Sequence, residues 1–494
     1  MKERLVVIGN GMAGARLVED VLARGGRERF EMAMFGDEPY GNYNRILLSS
    51  VLARSHDPKD IFINPLSWYE ENEIRLHAGV RVASIDREAR TVTGASGVVE
   101  PYDHLVIATG SVPFVPPVAG LEGAAGGYKP GVFVFRTLDD CEAITSYAQN
   151  VRVAAVIGGG LLGLEAARGL LEQGLEVHVV HLMPHLMEVQ LDSPAGSVLR
   201  RTLLGMGVRV HLEKSTTGIL GEERVAGLEF KDGSTLPCDL VVISAGIRPN
   251  VALARDAGLK VERGIVVGDD LASPDDSRVC AVGECAQHRG KVYGLVAPLW
   301  EQTQTLAERL TGRNAEARYE GSVVSTKLKV MGVELSVMGE KDAATEADEV
   351  ATYSDPARGV YKKLIVREGR LAGAILLGDA AVAPSLAQMF DRATRIPGSP
   401  ADLLFPAASG SRAPSAAELP DDAQVCNCNG VSKGRLVEAV KGGCRSLKAL
   451  CDATRAGTGC GSCKPQVAAV LEAAAGGSVV EDPAGHYYVR GVPM

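Results

Sequence analysis

The sequence predicts an α/β protein with two Rossmann-like dinucleotide-binding domains, then a small α+β domain and a C-terminal helical domain. Three observations carry this. Apolar runs of four to seven residues alternate with helical stretches up to about residue 320, the pattern of buried parallel strands joined by helices. Residues 5–14, LVVIGNGMAG, and 153–163, VAAVIGGGLLG, repeat one unit in which an apolar strand runs through a glycine-rich turn into a helix. Six of the ten cysteines (Cys426, Cys428, Cys444, Cys451, Cys460 and Cys463) lie near the C-terminus, and none precedes Cys141.

The elements follow in order. Each glycine unit leads to a second strand, at 30–35 in the first copy and 176–180 in the second. From 321 to 380 the pattern changes to strand-like pieces at 328–335, 361–366 and 371–377, which predict the small α+β domain. Residues 392–424 are rich in Pro, Ala, Ser and Asp and read as a linker. Beyond it, Ser432 caps a predicted helix through Ala439, Ser446 caps another through Cys451, and a third follows Pro465. Residues 476–494 look extended and carry no assigned role.

Composition narrows the function classes. The 494 residues suggest about three domains, and 46% hydrophobic content supplies sizeable cores. No segment is long and apolar enough to span a bilayer. The N-terminus runs directly into a strand and leaves no room for a signal peptide, so a cytoplasmic protein is expected. A net charge of −9 argues against nucleic-acid and anionic-membrane partners. In that compartment a cysteine cluster means metal more often than disulfides.

Gly9, Gly11 and Gly14, with Met12 and Ala13 between the last two, satisfy GxGxxG between strand and helix. The first glycine makes the turn, the second lets backbone approach a pyrophosphate, and the third lets helix and strand pack. The helix N-terminus adds free N–H groups and positive potential. Asp37, at the end of the second strand, is placed to accept hydrogen bonds from ribose hydroxyls. Gly158, Gly160, Leu162 and Gly163 form the second copy. Its strand ends on His181 where an acid is expected, and no Arg or Lys follows closely, which favours NADH over NADPH. A neutral His181 would hydrogen-bond ribose, and a protonated one would tolerate a phosphate.

Cys426-Asn427-Cys428 and Cys460-Gly461-Ser462-Cys463 present four thiolates in two close pairs. That set suits one tetrahedral metal, including a structural zinc, or two sulfide-bridged irons. Gly430, Gly457, Gly459 and Gly461 bring backbone N–H groups towards the sulfurs. Cys444 and Cys451 fall on predicted helices and read as core.

These motifs resemble the two-dinucleotide-fold flavoprotein family of ferredoxin, rubredoxin and nitrite reductases. Residues 105–110, LVIATG, are similar to the family's segment at the edge of the FAD domain, which implies FAD contacts by Ala108, Thr109 and Gly110. Gly246, in AGIRPN, resembles the return from the NAD domain, and Gly283-Glu284 the turn whose acid holds the ribityl chain. Glu284 stands where relatives usually have Asp. The resemblance further implies Arg45, Ser50, Val82 and Arg136 near FAD, Glu165 as the catalytic residue at the nicotinamide, and Pro298 and Trp300 beside the isoalloxazine. Ser50 departs from the Lys of many relatives. A redox-active cysteine pair beside the flavin is missing, so dithiol chemistry is not expected.

Residues 425–431, VCNCNGV, with 454–463, TRAGTGCGSC, resemble the [2Fe–2S] domain related to bacterioferritin-associated ferredoxin. This implies Cys426, Cys428, Cys460 and Cys463 as cluster ligands. Residues 325–333, with their TKLK run, are similar to the nitrite-reductase branch. The implied organisation is an FAD-binding domain at 1–118 and 248–320, an NAD(P)-binding domain at 119–247, a small domain at 321–391, a linker at 392–424, a [2Fe–2S] domain at 425–475 and a tail.

The resemblance stops before the family's sirohaem region. It therefore implies a diaphorase in which NADH reduces FAD and the cluster carries electrons outward, with a linker that lets the cluster domain move. The implied partner is a separate catalytic subunit, a molybdenum nitrate reductase. The alternatives are a reductase for a separate nitrite reductase or an oxygenase, and a non-catalytic iron–sulfur sensor.

Overall fold

The computed structural model describes residues 2–124, 126–322, 325–405, 418–476, 479–481 and 487–489. The chain divides into two compact units. The first comprises Met1–Arg45, Asp57–Phe114 and Ile247–Ser322; the second comprises Ile46–His56, Val115–Gly246 and Val323–Met494.

A six-stranded sheet organises the first unit, in the order Ala272–Ser273, Asp276–Ala281, His104–Ile107, Glu3–Ile8, Phe30–Gly36, Ile74–Ala78. All neighbours are parallel except the first pair. Leu5, Val7, Leu105, Val106 and Ile107 are buried, as expected of parallel strands covered on both faces. Helices Met12–Leu22 and Val296–Thr311 pack together over this core. Glu3–Ile8 is central, with His104–Ile107 on one side and Phe30–Gly36 on the other, so its glycine turn leaves the sheet where the strand order reverses.

The second unit repeats the plan with five parallel strands, in the order Val132–Val134, Leu240–Ile243, Val153–Ile157, Glu176–Val180, Arg209–His211. Again the glycine turn follows the central strand. Segment Ile46–His56 belongs to this unit: its helix Leu48–Leu52 lies against Leu161–Glu172, and Gln173 Nε2 donates to Leu52 O at 2.6 Å.

The small domain is a five-stranded antiparallel sheet, in the order Ser325–Val330, Val333–Gly339, Arg370–Leu377, Val360–Arg367, Glu349–Asp355, packed by helix Ala383–Asp391. The single strand expected at 328–335 is instead a hairpin. Met331 and Gly332 both take positive φ, 53° and 86°, and turn the chain back on itself. Glycine marks that turn, but the apolar pattern runs unbroken through it. The expected linker contains a helix, Pro400–Leu404, capped by Ser399; residues 406–417 lie outside the described residues.

The C-terminal helices form Lys433–Lys441, Leu447–Thr454 and Lys464–Ala475. Ser432 accepts from Arg435 N, Ser446 from Ala449 N, and Pro465 sits in the first turn of the third. Leu436, Val440, Leu450, Val467 and Leu471 close a core that includes Cys426, Cys428 and Cys463. In the tail, Val479–Glu481 pairs antiparallel with Tyr487–Val489.

Candidate functional site

The glycines of the two turns divide by what surrounds them. A Cβ on Gly9 would fall 2.2 Å from Ala108 O, and one on Gly14 1.9 Å from Gly9 O. Gly158 and Gly163 repeat this, at 2.0 Å from Ser244 O and 2.1 Å from Gly158 O. Protein packing therefore demands these four. Gly11 and Gly160 differ: a Cβ on Gly11 meets only Arg45 Nε at 3.9 Å, and one on Gly160 meets nothing within 4 Å. Their φ of −82° suits any residue. Space kept open at the mouth of a helix, with Met12 and Ala13 or Leu161 and Leu162 opening the first turn, fits a pyrophosphate approaching the backbone.

Around the first turn, Ala108 N donates to Ile8 O, Thr109 Oγ1 to Asn250 O at 2.7 Å, and Asn250 N to Gly110 O. Asp37 is exposed and paired with Arg81 at 2.6 Å. Glu38, which sequence reasoning passed over, accepts from Tyr43 Oη at 2.6 Å and pairs with Arg45. The Glu38 and Glu284 carboxylates help to raise the Arg45 pKa against the cost of its burial. Glu284 accepts from Ser111 Oγ at 2.5 Å. Gly283 takes φ +88° against Ala13, and its N–H donates to the buried Gln302. Val82 opens the strand Val82–Asp86 and packs on the core. Pro298 and Trp300 are buried on helix Val296–Thr311, with the Arg16 guanidinium 5.2 Å from the Trp300 ring centre. Ser50 and Arg136 belong to the second unit, where Arg136 N donates to Asp140.

At the second turn, His181 is buried and both its ring nitrogens are engaged. Gly159 N donates to Nδ1 at 3.0 Å, and Nε2 lies 2.9 Å from Glu188 Oε2. Glu165, two residues past Gly163, is half-buried, but desolvation of its carboxyl pushes its pKa up to about 8, and Cys460 adds to the rise. Gly246 takes φ +112° with open space around it.

The four sequence-predicted cluster cysteines converge. Cys428 and Cys460 Sγ lie 3.2 Å apart, and Cys463 donates to Cys426, drawing Cys426 down to about 7 and pushing its own thiol up. Each pair joins one cysteine from each motif. These thiols stand where thiolates would ligate iron, two to each metal. Among the described residues no three His, Cys, Asp or Glu side chains are arranged as ligands of one ion. Four thiolates drawn from both motifs are the donor set that two sulfide-bridged irons or one tetrahedral metal would take. Gly457 N donates to Cys426 and Cys463, as the glycine pattern suggested. Buried Asn429, missed from sequence, ties the loops together through Arg455 O at 2.6 Å and Thr458 Oγ1 at 3.3 Å.

Of the remaining thiols, Cys141, Cys280, Cys285 and Cys451 are buried and raised. Burial raises Cys141 and Cys280 to about 12 and also raises Cys285, whose Sγ lies within 3.5 Å of Ile107 O and Val282 O. Cys451 is buried in the helical core and raised to about 11.

Two dinucleotide turns, each following a central strand flanked by parallel neighbours, and a four-cysteine module later in the chain define a nicotinamide-dependent flavin oxidoreductase carrying an iron–sulfur domain. The chain belongs to the pyridine nucleotide-disulphide oxidoreductase family, whose model matches residues 3–305. Residues 325–394 match the rubredoxin NAD+ reductase C-terminal domain, and 424–473 the BFD-like [2Fe-2S] binding domain. FAD, NAD(P)H and a [2Fe–2S] cluster are thus its cofactors.

It is 44% identical to a nitrite reductase [NAD(P)H] of Bacillus subtilis over 95% of this chain and 58% of that protein. It is 40% identical to an assimilatory nitrate reductase electron transfer subunit of the same organism, over 95% of this chain and 59% of that one. The chain thus spans less than two thirds of these relatives' length. Among solved structures, the ferredoxin reductase for the CYP199A2 system from Rhodopseudomonas palustris superposes with a TM-score of 0.70 at 29% identity, covering 80% of this chain and 96% of that one. Among the described residues no helix is long and apolar enough to cross a membrane.

Proposed function

We propose that this chain is a cytoplasmic NADH-dependent diaphorase that supplies electrons to a separate assimilatory nitrate reductase, a molybdenum enzyme. The observation that carries the reading is the cross-paired cysteine quartet, folded in the same unit as the Gly158–Gly163 turn. It gives electrons a one-electron exit, and the buried, raised thiols elsewhere offer no dithiol route.

When bound, FAD supplies hydride acceptance and the conversion from electron pairs to single electrons, and the cluster supplies the one-electron carrier. The protein's part is to hold and orient. Gly11 and Gly160 admit the two pyrophosphates, and the helix N-termini behind them offer N–H groups. Within the first unit, Asp37, Arg45, Val82, Ala108–Gly110, Gly283, Glu284, Pro298 and Trp300 contact the flavin nucleotide. Glu165 orients the carboxamide of the nicotinamide, and Gly246 closes the nucleotide site. Cys426, Cys428, Cys460 and Cys463 hold the cluster, with Gly457 N–H stabilising its extra negative charge on reduction.

The likeness to a nitrate reductase electron transfer subunit supports this acceptor. The likeness to nitrite reductases supports a second reading, electron supply for nitrite reduction. Coupled assays discriminate them. NADH oxidation that yields nitrite from nitrate only when a molybdenum reductase is added supports the first. Ammonia from nitrite, with a sirohaem acceptor and not with the molybdenum enzyme, replaces it with the second.

A further inference from the structure

We propose that Glu188, oriented by His181, is the carboxylate that reads the adenosine ribose of the nicotinamide cofactor and makes the site take NADH in preference to NADPH. The inference rests on the reading above, that the Gly158–Gly163 turn holds the nicotinamide dinucleotide. The strand that should end on a ribose-binding acid, Glu176–Val180, runs into His181 instead. Its ring is not available for the ribose. Nδ1 accepts the N–H of Gly159, the middle residue of the turn, so it carries a lone pair. The ring proton is therefore on Nε2 and donates to Glu188 Oε2 at 2.9 Å. With both ring nitrogens engaged inside the protein, His181 has none left to offer a phosphate.

The loop that brings Glu188 back is fixed to the same turn. Met187 N donates to Gly159 O at 3.0 Å, and Met187 takes φ +51°. Leu186, Met187 and Leu191 are fully buried. A Cβ on Gly159 would fall 2.6 Å from Leu186 Cδ2 and 2.7 Å from His181 Cγ, so turn, ring and loop are packed as one piece. Glu188 is thereby set beside the turn although it lies seven residues beyond His181. Its Oε1 makes no hydrogen bond to a described residue, and its side chain is 29% exposed. One oxygen is held by His181, and the part-exposed carboxylate keeps acceptor capacity for a ribose hydroxyl.

The surroundings suit an adenosine and not an added phosphate. Leu182, Met183 and Val189, on the same loop, are exposed at 63%, 41% and 74% and offer apolar surface to a purine. Residues 181–192 contain no Lys or Arg. Lys214, whose backbone N–H binds His181 O, has its ammonium on Asp232 at 2.5 Å and Ser234 at 2.9 Å. A 2′-phosphate would meet the Glu188 carboxylate with no free cation on this loop to offset the repulsion.

The test compares the holoenzyme with Glu188→Gln and Glu188→Arg. Flavin reduction by NADH and NADPH is followed by stopped flow, and ADP-ribose and its 2′-phosphate are titrated by calorimetry. Glu188→Gln keeps an acceptor for His181 and removes only the charge. It is expected to weaken NADH and ADP-ribose binding about 10-fold or more, the weight of a charged hydrogen bond, with the limiting rate of flavin reduction unchanged. Glu188→Arg should reverse the NADH-to-NADPH preference. If both variants retain flavin and keep the wild-type preference within about twofold, the role of Glu188 is overturned. Wild-type enzyme that binds neither ADP-ribose nor NADH would instead overturn the nucleotide reading itself.

Discussion

Each glycine turn separates what the fold needs from what the ligand needs, and substitution can read the two apart. A methyl group on Gly163 would sit 2.1 Å from Gly158 O, so Gly163→Ala should lower the melting temperature and the yield of folded protein, at a cost of about 1–3 kcal/mol or more. Gly160→Ala meets only open space and should melt like the wild type while its KM for NADH rises at least several-fold. Gly160→Ala with an unaltered KM would mean that the open face is not where the pyrophosphate lies. Spacing marked these glycines and each of the two cysteine motifs, because each motif is contiguous in the chain, whereas the pairing of Cys428 with Cys460 across the motifs is set by the fold. Glu188, Glu38 and Asn429 were not legible. Each acts on a group brought to it by a loop, and no local pattern marks which carboxylate or amide the loop will deliver.

Helices and strands were legible where periodicity and punctuation agree. Ser432, Ser446 and Pro465 mark the three C-terminal helices, and each is found at the start of one. Ser446→Ala should therefore cost about 1 kcal/mol of stability through the loss of the Ala449 N–H bond, read as a lower unfolding midpoint with cluster content retained. The hairpin at Met331-Gly332 escaped because its two strands share one apolar run. Segment Ile46–His56 escaped for a different reason: its partners, Gly169 and Gln173, are more than a hundred residues away, and membership of a unit is decided by such packing. The segment at 392–424 still bears on dynamics. If motion of the cluster domain limits turnover, flavin-to-cluster transfer should slow as viscosity rises, and a constant rate would dismiss motion as the limiting step.

At the scale of the molecule, the chain joins a hydride acceptor and a one-electron carrier, and the account stands or falls on their being connected. Removing a ligand should cut that connection and leave the first half working. Cys460→Ser should lose the cluster absorbance and iron while NADH still bleaches the flavin, since the glycine turns are untouched. The most direct measurement is an anaerobic titration of the intact protein with NADH, followed by visible absorbance and paramagnetic resonance. Flavin bleaching is expected together with the signal of a reduced [2Fe–2S] cluster, from protein containing about two irons per chain. Zinc in place of iron, or a cluster that stays oxidised while NADH reduces the flavin, would contradict it.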